Sequence, residues 1–207
     1  MLYDYLIDVF NSGDFIFLED IHYKGTPEAI RQQMKALTDQ GKIRRFTNGV
    51  YYIPEKKWGI ELSPSINDYI QKKYVIDRNG NTIGYVGGIT AVNQARLTTQ
   101  MSVDKMVVFT NKATTAMKTI KVKDYTIILK RPLLEITNEN YRVLRFLSML
   151  LDSEVYSELR GEEYKAAIRT LVKKEQLDGE KLMKIAAVYP EKIYMSLYKG
   201  GVLQYVG

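Results

Sequence analysis

The apolar positions in the first forty residues recur at helical spacing and are separated by short polar breaks. Residues 2–10 predict a short amphipathic helix, and residues 18–22 predict one or two further helical turns. A third helix begins after Thr26, whose hydroxyl can accept a hydrogen bond from a free backbone N–H, and a proline suited to the first helical position follows. Apolar residues at every third or fourth position then give this helix one buried stripe, and Gly41 ends it.

The alternating pattern of a β-hairpin follows at residues 43–53. Asn48 and Gly49 separate two β-prone runs, and this dipeptide favours a type I′ turn, in which both residues have positive φ. Such a turn pairs Phe46 with Tyr51 and fixes which residues share a face. We expect the core face to carry Arg44, Phe46, Tyr51 and Ile53. We expect the outward face to carry Arg45, Thr47, Val50 and Tyr52.

Helix, short helix, turn, capped helix and β-hairpin in about fifty residues is the element order of the winged helix-turn-helix, which presents one helix to the major groove of duplex DNA. We therefore predict that residues 1–57 form a DNA-binding domain of this kind.

The remainder, residues 58–207, predicts a mixed domain after a linker near residues 56–64. A small antiparallel sheet is expected at about 83–132, where a short helix at 87–97 is followed by three β-prone segments at 106–110, 119–122 and 125–130. A helical part is expected at about 138–200, and its first helix is apolar almost all round, as in a central core helix. The fold class is therefore α+β.

The composition, 45% apolar and 26% charged over 207 residues, is that of an ordinary globular protein. Cysteine is absent, which excludes disulfides and thiolate metal sites and fits a reducing compartment. The chain starts with an acidic segment rather than a basic one, so we expect no secretory signal. No apolar run approaches the roughly 18 residues of a membrane span, so we expect a cytoplasmic protein without a membrane partner.

The net charge of +6 is unevenly distributed along the chain. Residues 1–23 hold five acidic residues and no lysine or arginine, whereas residues 24–57 hold eight basic and three acidic residues. Such polarity directs one surface toward a polyanion. We predict that arginine and glutamine of the third helix contact base edges and that lysine and hairpin residues contact phosphate. The candidate DNA contacts are Thr26, Arg31, Gln32, Lys35, Arg44, Arg45, Thr47 and Asn48.

Two alternatives stay open for these residues. The outward side of the third helix is also what an ordinary solvated helix face looks like. Arg44, at the start of its strand, can reach a phosphate or can lie as a surface charge over the edge of the core.

The middle of the chain, residues 58–135, carries eleven basic and six acidic residues. Some of these lie on predicted strands and form a possible second basic patch: Lys118, Lys121, Lys123, Lys130 and Arg131. Exposed lysines on strands also protect sheet edges from aggregation, which is the alternative interpretation.

The sequence offers little for catalysis. His22 is the single histidine, so neither a Ser-His-Asp triad nor a metal cluster is expected, and no cofactor is implied. The adjacent carboxylates at 162 and 163 begin a predicted helix, where they favour the helix dipole. The glycines at 84, 87 and 88 match no phosphate-binding motif. We predict a protein that is not an enzyme and has no catalytic or metal-binding residues.

Lys42-Ile43-Arg44-Arg45-Phe46-Thr47-Asn48-Gly49-Val50-Tyr51-Tyr52-Ile53-Pro54 resembles the AbiEi family, antitoxins of bacterial abortive-infection systems. A second segment, Gly84-Tyr85-Val86-Gly87-Gly88-Ile89-Thr90-Ala91-Val92-Asn93-Gln94 with Leu97-Thr98-Thr99-Gln100, resembles the opening of that family's C-terminal domain. The strands ending at Leu129-Lys130-Arg131-Pro132 and the helical tail follow in the same order. The chain departs from the pattern at Arg96, where a glycine is expected.

The resemblance implies a type IV antitoxin that binds inverted repeats in its own promoter and represses its operon. It also implies a C-terminal domain that counters a nucleotidyltransferase-like toxin without requiring a stable complex. Two other functions stay open: a conventional regulator with a ligand-sensing C-terminal domain, and an RNA- or tRNA-handling enzyme that uses the basic middle region.

Overall fold

A computed structural model describes residues 1–204 of the chain as a mixed α+β protein. The chain divides into two units, Met1–Lys72 and a second that begins at Lys73 and takes in the rest of the described residues. Within residues 1–204, no helix is both long enough and apolar enough to cross a membrane.

The first unit contains three α-helices and five short strands. Its helices are α1 (Leu2–Val9), α2 (Pro27–Asp39) and α3 (Ile66–Ile70). Its strands are β1 (Phe15–Phe17), β2 (Arg44–Thr47), β3 (Val50–Tyr52), β4 (Glu55–Lys57) and β5 (Ile60–Leu62). Three of the strands form an antiparallel sheet in the order β1-β3-β2, and the other two form a separate hairpin.

Both faces of the three-stranded sheet are buried. Ile16 and Tyr51 pair across β1 and β3 and face a core shared with α1 and α2, which contributes Leu6 and Met34 among others. On the opposite face, the rings of Phe15, Phe17 and Phe46 meet the ring of Tyr69 from α3 at centroid distances of 5.9, 6.4 and 5.5 Å. The segment after residue 57 therefore completes the first unit, which extends beyond the predicted boundary.

The hairpin turn at Asn48-Gly49 forms as predicted, but its register differs from the prediction. Arg45 pairs with Tyr51, Thr47 pairs with Val50, and a bulge between Arg45 and Thr47 leaves Phe46 out of the ladder. Phe46 therefore joins the aromatic face with Phe15 instead of sharing the helix-facing side with Tyr51. The turn is also not type I′, because Gly49 has a positive φ of 71° and Asn48 does not.

Strands also occupy the predicted linker and a stretch to which no element was assigned from the sequence. The apolar stretch at 15–17 is β1, an edge strand of the sheet. The predicted linker contains the β4–β5 hairpin, in which Lys57 pairs with Ile60 across a two-residue Trp58-Gly59 turn.

The second unit contains four strands and five α-helices among its described residues. The strands are β6 (Gly84–Gly87), β7 (Lys105–Thr110), β8 (Met117–Val122) and β9 (Tyr125–Lys130). The helices are α4 (Gly88–Gln94), α5 (Tyr141–Tyr156), α6 (Gly161–Glu175), α7 (Gly179–Ala186) and α8 (Lys192–Lys199).

The four strands form one sheet in the order β6-β7-β9-β8. Its pairs are antiparallel except for β7 and β9, which run parallel. The predicted antiparallel sheet is therefore mixed, and it includes β6, a strand that was not predicted from the sequence. Helix α5 is the central helix, as predicted: Leu144, Leu147 and Leu150 are fully buried in a core shared with α4, α6, α7 and α8.

Candidate functional site

Helix α2 is positioned by a cap at its start and by an apolar stripe along one side. The Thr26 hydroxyl accepts a hydrogen bond from the Ala29 N–H at 3.2 Å, as the sequence predicts. The buried stripe consists of Ile30, Met34 and Leu37. Because these residues face the core, the other side of the helix is turned to solvent. Arg31, Gln32 and Lys35 are all exposed there.

Arg31 makes a surface ion pair within its own helix. Its Nη1 lies 2.9 Å from Glu28 Oε1, and both side chains are more than half exposed. Pairs of this kind contribute less than about 1 kcal/mol, so a stronger anion can replace Glu28 at small cost. The helix therefore offers a guanidinium and an amide from one turn, Arg31 and Gln32, and an ammonium group one turn later, Lys35.

The β2–β3 turn gathers three of the predicted contact residues. Arg45 Nη2 donates to Asn48 Oδ1 at 2.8 Å, and Arg45 Nε donates to the Thr47 carbonyl at 3.4 Å. Arg45 and Asn48 are exposed, whereas Thr47 is half-buried. This arrangement presents one positive charge and one amide at the tip of the hairpin, a combination that suits phosphate oxygens.

Arg44 is engaged in a different task. Its Nε and Nη2 donate to the two carboxylate oxygens of Glu61 at 2.8 and 2.9 Å, and its Nη1 donates to the Gly41 carbonyl at 2.8 Å. Glu61 belongs to β5, so this fork-shaped pair ties the β4–β5 hairpin to the start of β2. The geometry thus gives Arg44 a structural role at the hairpin base and removes the main reason to expect a phosphate contact from it.

The predicted second basic patch is split by the register of its strands. Lys121 pairs with Thr126 and lies on the same face as Lys130, whereas Lys118 pairs with Leu129 and lies on the opposite face. Lys130 holds its ammonium 5.5 Å from the centre of the Phe109 ring. Of the other two residues, Lys123 forms the β8–β9 turn with a φ of 53°, and Arg131 donates to the Thr114 carbonyl at 3.1 Å. The five residues therefore do not form one surface.

The sequence analysis missed Trp58, whose side chain is 99% exposed at the tip of the β4–β5 hairpin. Lys56 is exposed beside it. A signal was present in the sequence, since Trp58-Gly59 separates a charged run, Glu55-Lys56-Lys57, from a run in which apolar and charged residues alternate, Ile60-Glu61-Leu62. It was hidden because tryptophan rarely occupies the first position of such a turn.

The second unit contains two carboxylates in distinctive surroundings. Asp152 of α5 accepts a hydrogen bond from the Gly88 N–H at 2.8 Å, at the start of α4, and burial raises the pKa of this carboxyl above its ordinary value. Glu158 accepts hydrogen bonds from the Thr99 N–H and hydroxyl, which lower the pKa of Glu158. Asp152 therefore joins α5 to the start of α4, and Glu158 joins the segment after α5 to the segment after α4.

The other groups considered for chemistry are placed as follows. His22 is exposed, and its backbone N–H donates to the Tyr5 hydroxyl at 3.1 Å. Glu162 lies in the first turn of α6, where it pairs with Lys165 at 2.7 Å. Within residues 1–204, no three histidine, cysteine or carboxylate side chains are grouped to hold a metal ion.

Comparison with known proteins assigns the chain to a family. A family model described as "Family of unknown function (DUF6088)" matches residues 4–179 and so covers most of both units. Neither the curated proteins nor the solved structures yield a match. The family's description names no activity and leaves the resemblance to AbiEi antitoxins as a separate hypothesis.

Proposed function

The chain belongs to the family DUF6088, and for this member we propose a function as a DNA-binding antitoxin and transcriptional autorepressor. In this proposal the first unit is a winged helix-turn-helix that binds inverted repeats in its own promoter. The second unit counters a nucleotidyltransferase-like toxin of a type IV, phage abortive-infection operon, without a stable complex. The protein acts in the cytoplasm, where its promoter lies.

The DNA-binding part of the proposal rests on one observation: α2 and the β2–β3 turn lie in the same small unit. A capped helix with outward Arg31, Gln32 and Lys35 is followed directly by a hairpin whose tip holds Arg45 against Asn48. The order helix, strand, helical turn, helix and hairpin is that of winged domains. The core of this unit faces away from these polar groups.

Each group has a distinct part in this proposal. Arg31 and Gln32, near the start of α2, enter the major groove, where Arg recognises guanine and Gln recognises adenine by paired hydrogen bonds. Lys35, one turn later, contacts phosphate. Arg45 and Asn48 contact the backbone or the minor groove. The start of α2 also brings the positive end of its helix dipole toward phosphate.

Two variants separate base recognition from backbone contact. Arg45→Ala should weaken binding to every duplex similarly and lower the slope of log affinity against log salt by about one. Arg31→Ala should instead reduce the preference for the upstream operator over a random duplex, because a lost base contact costs about 1–3 kcal/mol of discrimination. Lys173→Ala, an exposed lysine of α6, is the charge-matched control. Equal losses for Arg31→Ala on both duplexes would reject its role in base recognition.

The antitoxin half is supported by the sequence resemblance of residues 42–54 and 84–100 to AbiEi proteins. If it holds, the gene lies next to a reading frame for a nucleotidyltransferase-like protein. Expression of that neighbour alone should arrest growth, and co-expression of the full chain should restore it. Continued arrest with the full chain expressed would reject the antitoxin assignment and leave DNA binding untouched.

A cavity in the second unit favours the second candidate function, a repressor that senses a ligand. It has a volume of about 810 Å³, and it is lined by residues of α5, α6 and α8, among them Tyr164 and Lys199, and by Arg160 of the segment between α5 and α6. Volumes of this size accept drug-sized molecules. A rise in the thermal midpoint of the full chain with a metabolite, and release of operator DNA by the same metabolite, would support this candidate over the antitoxin.

A further inference from the structure

Trp58 occupies a hairpin-turn position that requires a positive φ and that favours asparagine or glycine. Its φ is 49° and that of Gly59 is 79°, so both residues of the turn adopt the left-handed region. For a residue as large as tryptophan this region is unfavourable. The side chain is also 99% exposed and therefore gains nothing from burial. An exposed indole at a turn position that favours asparagine or glycine points to a contact outside the chain.

The hairpin that carries Trp58 is fixed at its base. Glu61 receives two hydrogen bonds from Arg44, and Glu55 pairs with Lys57 at 3.0 Å. The first of these bonds joins β5 to β2, the strand that also holds Arg45. The hairpin is therefore continuous with the candidate DNA-binding surface of the first unit.

The charges of the hairpin fit a polyanion. Its two carboxylates, Glu55 and Glu61, are each engaged with a cation, so Lys56 supplies a net positive charge close to Trp58. Lys56 is exposed and pairs across the strands with Glu61, on the face opposite Lys57. An aromatic ring beside a cation is the combination with which proteins hold nucleic acid bases next to phosphate.

The reach of the hairpin is sufficient for a groove. Each strand has three residues, and at about 3.3 Å per residue the strands extend about 10 Å from their base. The minor groove of B-form DNA is about 7.5 Å deep but only about 6 Å wide, so it admits the indole at the tip and not the two strands behind it. The indole at the tip can therefore reach the base edges while the base of the hairpin stays outside the groove.

We propose that the β4–β5 hairpin is a second DNA-contacting element, in which Trp58 inserts between two base pairs from the minor groove and stacks on them, next to the segment bound by α2. This inference rests on the proposed DNA-binding function. Stacking is tolerant of sequence, because every base has an aromatic face. Trp58 therefore contributes affinity, while α2 provides sequence preference.

The test uses Trp58 as its own probe, because it is the single tryptophan of the chain. The full-length protein is titrated with a duplex from upstream of its gene and with a random duplex, and the tryptophan emission is recorded with the binding curve. The emission of the free protein should be that of water-exposed indole. Both duplexes should quench this emission as they bind, and the quenching should follow the binding curve.

Variants at position 58 separate stacking from charge. Trp58→Ala should weaken binding about tenfold on either duplex, and Trp58→Phe should recover most of that loss. The ratio between wild type and Trp58→Ala should stay constant as salt rises, whereas the ratio for Arg45→Ala should change. Because Trp58 is exposed and alanine keeps the same Cβ atom, Trp58→Ala should leave the thermal midpoint unchanged, which excludes misfolding as the cause.

The possible failures are distinguishable. Normal operator binding with unquenched emission and an unchanged affinity for Trp58→Ala would overturn this inference alone. No binding to either duplex at low salt would overturn the DNA-binding proposal as well. A blue-shifted emission with vesicles of anionic phospholipid, or with rising protein concentration, in the absence of a DNA effect would assign the hairpin to a membrane surface or to a second copy of the chain.

Discussion

At the scale of single residues, a positive φ at a non-glycine residue marks a position where the side chain makes the backbone conformation unfavourable. Within residues 1–204 four non-glycine residues have this conformation: Trp58, Arg96, Lys123 and Gln176. Gln176 follows α6, and Lys123 forms the β8–β9 turn. Arg96 follows α4 and donates its N–H to the Asn93 carbonyl at 2.8 Å, the position where helices favour glycine. The departure from the AbiEi pattern noted at Arg96 is thus a residue in a glycine conformation.

Arg96→Gly should stabilise the protein for this reason. Removing the side chain relieves a left-handed conformation at φ 60°, and we expect a gain of about 1 kcal/mol in the free energy of unfolding. Gln94→Gly, two residues earlier inside α4, is the matched control and should cost a similar amount. Chemical denaturation of the three proteins measures both changes. A loss of stability in Arg96→Gly would contradict this account of the turn.

Asp152 should make the stability of the second unit depend on pH. Burial raises the pKa of this carboxyl above 3.8, against the opposing influence of Lys130 and Lys192. Just above pH 3.8 the folded protein therefore retains a proton that the unfolded chain has released, so stability from this residue falls as the pH rises through that window. Asp152→Asn keeps an oxygen that can accept from the Gly88 N–H but does not titrate.

The measurement is the thermal midpoint of wild type and Asp152→Asn from about pH 4 to about pH 7. We expect the wild type to lose stability relative to the variant as the pH rises. Other titrating groups are common to both proteins and cancel in the difference. A difference in thermal midpoint that does not change with pH, or that increasingly favours the wild type as the pH rises, would contradict the raised pKa of Asp152.

Residue roles were predictable where one local rule decides them. The Thr26 cap and the exposure of Arg31 and Lys35 follow from spacing along a single helix. Arg44 was ambiguous, because its partner Glu61 lies seventeen residues away on a strand that the sequence analysis treated as linker. No local pattern reports a partner of that kind.

At the scale of elements, helices were predicted well and short strands were not. The bounds of α2 and the position of the Asn48-Gly49 turn followed from capping and turn chemistry. The bulge beside Phe46 did not, because an alternating pattern gives no sign of an inserted residue until the neighbouring aromatic rings are known. Strand β6 was hidden by its glycines. A side chain on Gly84 would lie 2.1 Å from the Tyr74 carbonyl oxygen, so tight packing of backbone on backbone requires glycine there.

The aromatic face of the first unit predicts which fragment can fold alone. Tyr69 is 2% exposed and covers Phe15, Phe17 and Phe46, so its removal exposes one side of the sheet. A fragment of residues 1–72 should unfold cooperatively on heating, whereas a fragment of residues 1–57 should not. In the longer fragment, Tyr69→Ala should cost about 3–5 kcal/mol, and Tyr69→Phe should cost much less. Cooperative unfolding of the shorter fragment would contradict the assignment of α3 to this unit.

At the scale of the whole molecule, the sequence indicated two parts with different compositions of elements, and the structure divides the chain into two units. The α+β class and the central position of α5 followed from local patterns. The parallel pairing of β7 with β9 did not, because strand order depends on contacts between distant segments. One family model matches residues 4–179 and therefore includes residues of both units. The function of the two units is our proposal.

The central claim is that the first unit of this chain binds duplex DNA with sequence preference. The most direct measurement is the affinity of the full-length protein for a duplex from upstream of its own gene, against a random duplex of equal length, over a range of salt. We predict preferential binding of the upstream duplex, a preference lost in Arg31→Ala, and an affinity that falls steeply with salt. Equal and salt-insensitive affinity for both duplexes, or no binding even at low salt, would contradict the claim.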